Sequence, residues 1–133
     1  MALDDSGDMF FTGNITHRNG TASQFDSYVG KVFASGKIDS TFGTNGVKEI
    51  NAGHFDLVQC IDVNDSGQIA VGSYQSHYGD SCTVILLNAA GQPTSHMPSG
   101  FQILPFPQNK KAYIYSVKFD HQGRILVAGT YLP

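Results

Sequence analysis

Short apolar runs alternate along this chain with short polar gaps that carry glycine. "LVQCIDV" (Leu57 to Val63) and "YIYSVKF" (Tyr113 to Phe119) are rich in branched and aromatic residues, which fit a pleated, half-buried surface. Each leads into a polar turn ending in glycine, and a second apolar run follows: "QIAV" (Gln68 to Val71) and "RILVA" (Arg124 to Ala128). That order is a β-hairpin with a left-handed glycine in its turn. "SYVGKVF" (Ser27 to Phe33) and "CTVILL" (Cys82 to Leu87) read as third strands. "VKEI" (Val47 to Ile50) and "FQIL" (Phe101 to Leu104) read as outer, fourth strands. No stretch shows convincing 3.6-residue periodicity, so the expected fold is all-β with minimal helix.

The pattern repeats. "LDDSGDMFFTG" (Leu3 to Gly13), "VNDSGQIAVG" (Val63 to Gly72) and "FDHQGRILVAG" (Phe119 to Gly129) share one layout, and their turn glycines Gly7, Gly67 and Gly123 fall 60 and 56 residues apart. A second signal interleaves with it. "YVGKVFASGKI" from Tyr28 and "VILLNAAGQP" from Val84 carry Gly36 and Gly91, 55 residues apart. Two signals with nearly one period describe one repeated unit. The units cover about residues 1–56, 57–112 and a partial 113–133. Four short antiparallel strands per unit is the content of one propeller blade.

The segment "DSYVGKVFASGKIDSTFGTNGV", Asp26 to Val47, resembles the signature of the delta-60 repeat, a bacterial repeat assigned to the β-propeller group. Asp65 to Gly72 and Gln122 to Gly129 resemble the glycine-hairpin half of the same pattern. In the second unit the signature has decayed to "AAGQPTSHMPSGF". The resemblance implies four-stranded antiparallel propeller blades, about two of them plus an extra hairpin. It also implies a bacterial, extracellular or cell-surface setting. In such a blade Ile38 and Phe42 are expected as apolar plugs between neighbours. Gly43, Asn45 and Gly46 are expected to reverse the chain, since Asn and Gly tolerate positive φ.

Aligning Gly7 with Gly123 places Met1 opposite Val117, so the chain is expected to start within a first strand. Known propellers close with about four to eight blades. Two periods and a hairpin do not close a ring. The expected partners are therefore other copies of this chain or the remaining blades of a longer parent, with a protein or glycan as a further ligand.

Composition narrows the functional classes. The formal net charge of the 133 residues is −3, with 14% charged residues, so there is no basic footprint for nucleic acid. No apolar run approaches the roughly 20 residues of a membrane span. "MALDDSGD" has neither a basic n-region nor an apolar h-region, so no signal peptide is expected there. "NIT" at Asn14, "NGT" at Asn19 and "NDS" at Asn64 fit the glycosylation sequon, which matters only in a eukaryotic secretory setting.

Candidate chemistry is sparse. "DDSGD" and "NDSG" resemble the start of calcium loops, but neither reaches the bidentate glutamate such a loop requires. Asp5, Asn64 and Asp65 are better read as turn residues bonding their own backbone. Cys60 and Cys82 have no zinc-site spacing and are expected reduced and semi-buried, with a disulfide as the alternative. No His-x-His or His-Glu-x-x-His spacing occurs, and no Gly-x-Ser-x-Gly elbow. No catalytic residue, metal or cofactor is therefore expected. His17 and His77 lie four and five residues after the equivalent glycines Gly13 and Gly72, with Arg18, Asp26, Tyr78 and Asp80 nearby. The expected second-to-third strand loops are Asn14 to Ser27 and Ser73 to Ser81. If the chain binds a ligand, His17, Arg18, Tyr74, His77 and Tyr78 in those loops are the candidates.

The function expected is a non-catalytic scaffold or interaction module that binds a protein or glycan through its loops. The alternatives are part of an enzyme whose site forms only in a complete ring, and a purely structural repeat of a large surface protein. "ILPFPQNKKAY", Ile103 to Tyr113, reads as a linker between units, its prolines ending the outer strand.

Overall fold

A computed structural model describes residues 1–19, 22–52, 56–75, 81–104 and 111–132. Among them the fold is all-β and antiparallel, with no helix. The first sheet is formed by β1 (Ala2–Leu3), β2 (Met9–Asn19), β3 (Ala22–Val32) and β4 (Val47–Ile50), in chain order. The second is formed by β5 (Asp56–Val63), β6 (Ile69–Gln75), β7 (Ser81–Leu87) and β8 (Phe101–Ile103), also in chain order. A hairpin of β9 (Lys111–Phe119) and β10 (Ile125–Leu132) is the third.

The hairpin turns are built alike. Asp4 Oδ1 accepts hydrogen bonds from the N–H groups of Ser6 and Asp8, Asn64 Oδ1 from Ser66 and Gln68, and Asp120 Oδ1 from Gln122 and Arg124. The side chain holds the turn from inside, and Gly7, Gly67 and Gly123 then close it at φ 79°, 73° and 75°. A residue with a Cβ is disfavoured there, which is why the glycine marks the repeat. Asn88 builds the same turn between β7 and its connection.

Each sheet packs on the one before it through an equivalent face. Ile61, Val71 and Ile85 pair across the second sheet, as do Val63, Ile69 and Leu87. This face meets Phe10, Val29 and Ile50 of the first sheet, and Phe42 of its β3–β4 connection, in one buried cluster. The opposite face of the second sheet, with Cys60, Cys82 and Val84, packs on Ala112, Ile114 and Ile125 of the hairpin. The continuous apolar run of β7, buried on both faces, follows from this middle position.

Phe42 is 1% exposed, edge-on to Phe10 with ring centroids 6.0 Å apart. Its ring lies against Gly91 of the second unit, where an added Cβ would come within 2.9 Å of the ring. The N–H of Gly43 donates to Ala90 O across the same junction at 3.1 Å. Phe42 is thus the plug between neighbouring sheets.

Two expectations need correction. Ile38 is 60% exposed and is no plug between sheets among the described residues; it pairs with Val32 in an isolated bridge that turns it outward. Asn14 to Asn19 and Ala22 to Ser27 are strand, not loop. The polar run "NITHRN" contains no glycine or proline to break a strand. The ladder from Met9–Val32 continues to Asn19–Ala22 without a register shift, and its polar side chains are tolerated where a sheet faces water. Likewise β6 runs through Ser73 to Gln75.

Cys60 and Cys82 are free thiols. No helix among the described residues is long and apolar enough to cross a membrane.

Candidate functional site

The extended β2–β3 hairpin sets its side chains by strict alternation. His17 pairs with Gln24, Ile15 with Asp26 and Gly13 with Tyr28, while Tyr28 pairs on its other side with Glu49. His17, Asp26 and Glu49 therefore share one face on three adjacent strands, along a diagonal of the sheet. It is the face turned away from the second sheet, since Phe10, Val29 and Ile50 occupy the other.

His17 Nε2 lies 2.6 Å from Glu49 Oε1 and 3.6 Å from Asp26 Oδ2. A carboxylate can only accept, so Nε2–H donates to Glu49. The His17 and Glu49 side chains are 49% and 42% exposed, but that of Asp26 is only 5% exposed. Asp26 Oδ1 accepts from Gln24 Nε2 at 3.0 Å, and among the described residues Oδ2 receives only a long contact from Asn51 Nδ2 at 3.4 Å. A buried carboxylate normally gathers stronger donors than this. Among the described residues, the ion pairs of Asp26 and Glu49 are with His17.

The other candidates are placed differently. Arg18 is exposed, follows His17 on β2 and so points to the opposite face. Tyr74 lies on the second sheet, 9% exposed, its ring stacked on Tyr113 at 4.9 Å and 22°. It therefore stands with the packing between the second sheet and the hairpin, apart from His17. His77 and Tyr78 lie outside the described residues, as does Asp80. Local spacing does not contain the strand register. Asp26 was visible as a neighbour of His17, but Glu49, 32 residues away in the chain, meets it only through the ladder.

Two clefts lie elsewhere. One of about 520 Å³ separates the turns after β5 and β9. Two of its three aspartates are engaged: Asp62 accepts from Lys118 Nζ at 2.7 Å and from the N–H of Phe119 at 2.8 Å, and Asp120 pairs with Arg124 at 2.6 Å, while Asp65 also lines it. The Asp120 carboxyl is held below the ordinary range, first by the Arg124 N–H. This cleft is a seam fastened by structural bonds. The other, about 330 Å³, lies between the hairpin and the second sheet, against Cys82, Leu104, Val127 and Tyr131.

A second charged group sits at the base of the first sheet. Lys31 Nζ lies 2.9 Å from Asp8 and 3.6 Å from Asp39, and 5.4 Å from the ring centroid of Phe10. Burial pulls the Lys31 pKa down, but the bond to Asp8 and the charges of both aspartates outweigh this and leave it above its ordinary value. Asp8 is held low by its bond to Lys31, and Asp39 by its bond to the Thr41 hydroxyl. The whole set reads as internal scaffolding.

No family model matches this chain, and comparison with curated proteins returned no relative.

Proposed function

We propose that this chain is a non-catalytic scaffold of β-propeller-type blades, of the delta-60 kind its repeats resemble, and that it works by associating with further blades presented by a second copy of itself. One observation carries this reading. The row Ile69 and Val71 docks the second sheet on the first, and the equivalent Ile125 docks the hairpin on the second sheet. Met9 and Phe11 hold that position in the first sheet, paired with Val32 and Gly30. Among the described residues, no second sheet packs on this face.

The other end of the stack is complementary. Leu126, on the hairpin face away from the second sheet, is 55% exposed. Among the described residues the hairpin has two strands where its neighbours have four, and pairing of a further strand along it is part of the proposed contact. Joining one copy's Met9–Phe11 face to the next copy's Leu126 face continues a packing geometry used twice already. Such a contact is head-to-tail and closes into a ring where the rotation per sheet allows. Loops carried on this frame would then meet a protein or glycan.

Light scattering at micromolar concentration tests it. The expected mass is a multiple of the 14.3 kDa chain, and Leu126→Lys should return it to a single chain. A monodisperse mass of one chain for the unaltered protein would overturn the proposal.

A further inference from the structure

The group formed by His17, Asp26 and Glu49 is not used by the scaffold reading. It is also not demanded by the repeated frame. Gly30 pairs with Val47 as Ile85 pairs with Phe101. The second-sheet counterparts of Asp26 and Glu49 are therefore Ser81 and Ile103. A four-stranded sheet of this kind forms without either carboxylate, so their presence in the first sheet calls for another reason.

We propose that His17 Nε2, Asp26 Oδ2 and a Glu49 carboxylate oxygen bind a divalent transition-metal ion of the zinc class, with at least one coordination position left open to water or an external ligand. The ligand set is one imidazole and two carboxylates. Imidazole selects against magnesium and calcium, which prefer all-oxygen sites. With metal–ligand bonds near 2.1 Å and tetrahedral angles, neighbouring donor atoms stand about 3.4 Å apart. The 3.6 Å between His17 Nε2 and Asp26 Oδ2 already meets this. The 2.6 Å between His17 and Glu49 is a hydrogen bond through the proton that a metal would replace. Opening it by about 0.8 Å requires only a rotamer adjustment of the exposed Glu49 side chain.

A second observation points the same way. Asp26 Oδ2 belongs to a side chain 95% buried (5% exposed), yet among the described residues it has only the 3.4 Å contact from Asn51 and the 3.6 Å approach to His17. Its other oxygen is fixed by Gln24. A carboxylate oriented by an amide, with its remaining oxygen aimed at an imidazole nitrogen, is the arrangement that outer groups give a metal ligand. Three protein ligands and an open position characterise zinc sites that act on, or hold, an external group.

The test uses the full chain freed of metal with a chelator and then titrated with zinc by calorimetry at neutral pH. The expected result is one zinc per chain with a dissociation constant at or below micromolar. His17→Gln and Glu49→Gln are each expected to weaken binding at least tenfold. Both residues are exposed, so these variants should stay folded; His121→Gln, at an exposed histidine elsewhere, should bind zinc as before. Cobalt in place of zinc should give visible absorption that disappears in Glu49→Gln. The proposal is overturned if no saturable one-to-one binding occurs, if the His17 and Glu49 variants bind as well as the unaltered chain, or if calcium or magnesium binds equally tightly. These readouts are independent of oligomeric mass, so the site and the scaffold reading stand or fall separately.

Discussion

Phe42 shows how much one side chain does at a sheet junction. Its ring fills the space left by Gly91 and meets Phe10 edge-on, an arrangement favoured by the ring quadrupole. Phe42→Ala is expected to cost about 3 kcal/mol, because the stiff neighbouring sheets cannot collapse into the void. Denaturant melts measure this, and a loss below about 0.5 kcal/mol would contradict the plug role. Cys60 and Cys82 are the other informative residues. Burial raises both thiol pKa values, that of Cys82 to about 11, with Cys60 as a secondary cause. Both should therefore resist iodoacetamide at pH 7.5 while the chain is folded and react once it is denatured, since the thiolate is the reactive form. Because the folded pKa of Cys82 lies above its ordinary 9.0, its contribution to stability is complete below pH 9. It is lost as pH rises from there through about 11. A melting temperature that rises across that interval would contradict this assignment.

At the scale of an element, the two sheets solve one packing problem with different chemistry. Lys31, Asp8 and Asp39 at the base of the first sheet correspond to Leu86, Gln68 and Thr94 in the second. The cation and its two carboxylates are absent together, as expected if they are one unit, since removing a single partner leaves an uncompensated charge. Thr94 keeps a trace of the difference: its hydroxyl is buried without a hydrogen-bond partner. Lys31→Leu alone is therefore expected to destabilise the chain more than the triple change Lys31→Leu, Asp8→Gln and Asp39→Val. Chemical melts of both variants check this, and the reverse order would show that the three do not act as a unit. The acid limb follows from the same group. Asp8 and Asp39 are held below their ordinary 3.8, so their contribution is present above that pH and is lost as pH falls through the depressed values. In the triple variant this part of the acid sensitivity should be gone.

At the scale of the molecule, the stack has a direction. The same face of each later sheet points at the sheet before it, and among the described residues the stack has an apolar row at one end and a different exposed face at the other. Burying apolar surface yields roughly 25 cal/mol per Å², set against the lost freedom of association and the ordering of side chains. Association that stabilises the folded chain makes its melting temperature rise with protein concentration. The scaffold reading expects that rise in the unaltered chain and its absence in Leu126→Lys. A melting temperature independent of concentration over a hundredfold range would count against it.

Strand identity, the turn glycines and the repeat were legible in the sequence, because each depends on residues a few positions apart, but the side chain that holds the first turn is Asp4 rather than Asp5, and Asn64 rather than Asp65 holds the second. Alternation of period two marks a strand, a glycine after a turn-capping Asp or Asn marks the hairpin, and their recurrence marks the unit. The burial of Phe42 was legible for the same reason, as a lone aromatic within a glycine-rich connection. The exposure of Ile38, the run of β2 and β3 through polar residues, the stacking of Tyr74 on Tyr113 and the meeting of His17 with Asp26 and Glu49 were decided only in the tertiary structure. Each depends on which strand lies beside which and in what register. Register is set by small pairing energies summed along a whole ladder, so no single local spacing contains it. That is why spacing alone predicted no metal ligands here, while the folded sheet brings three candidate donors from separate strands to one point.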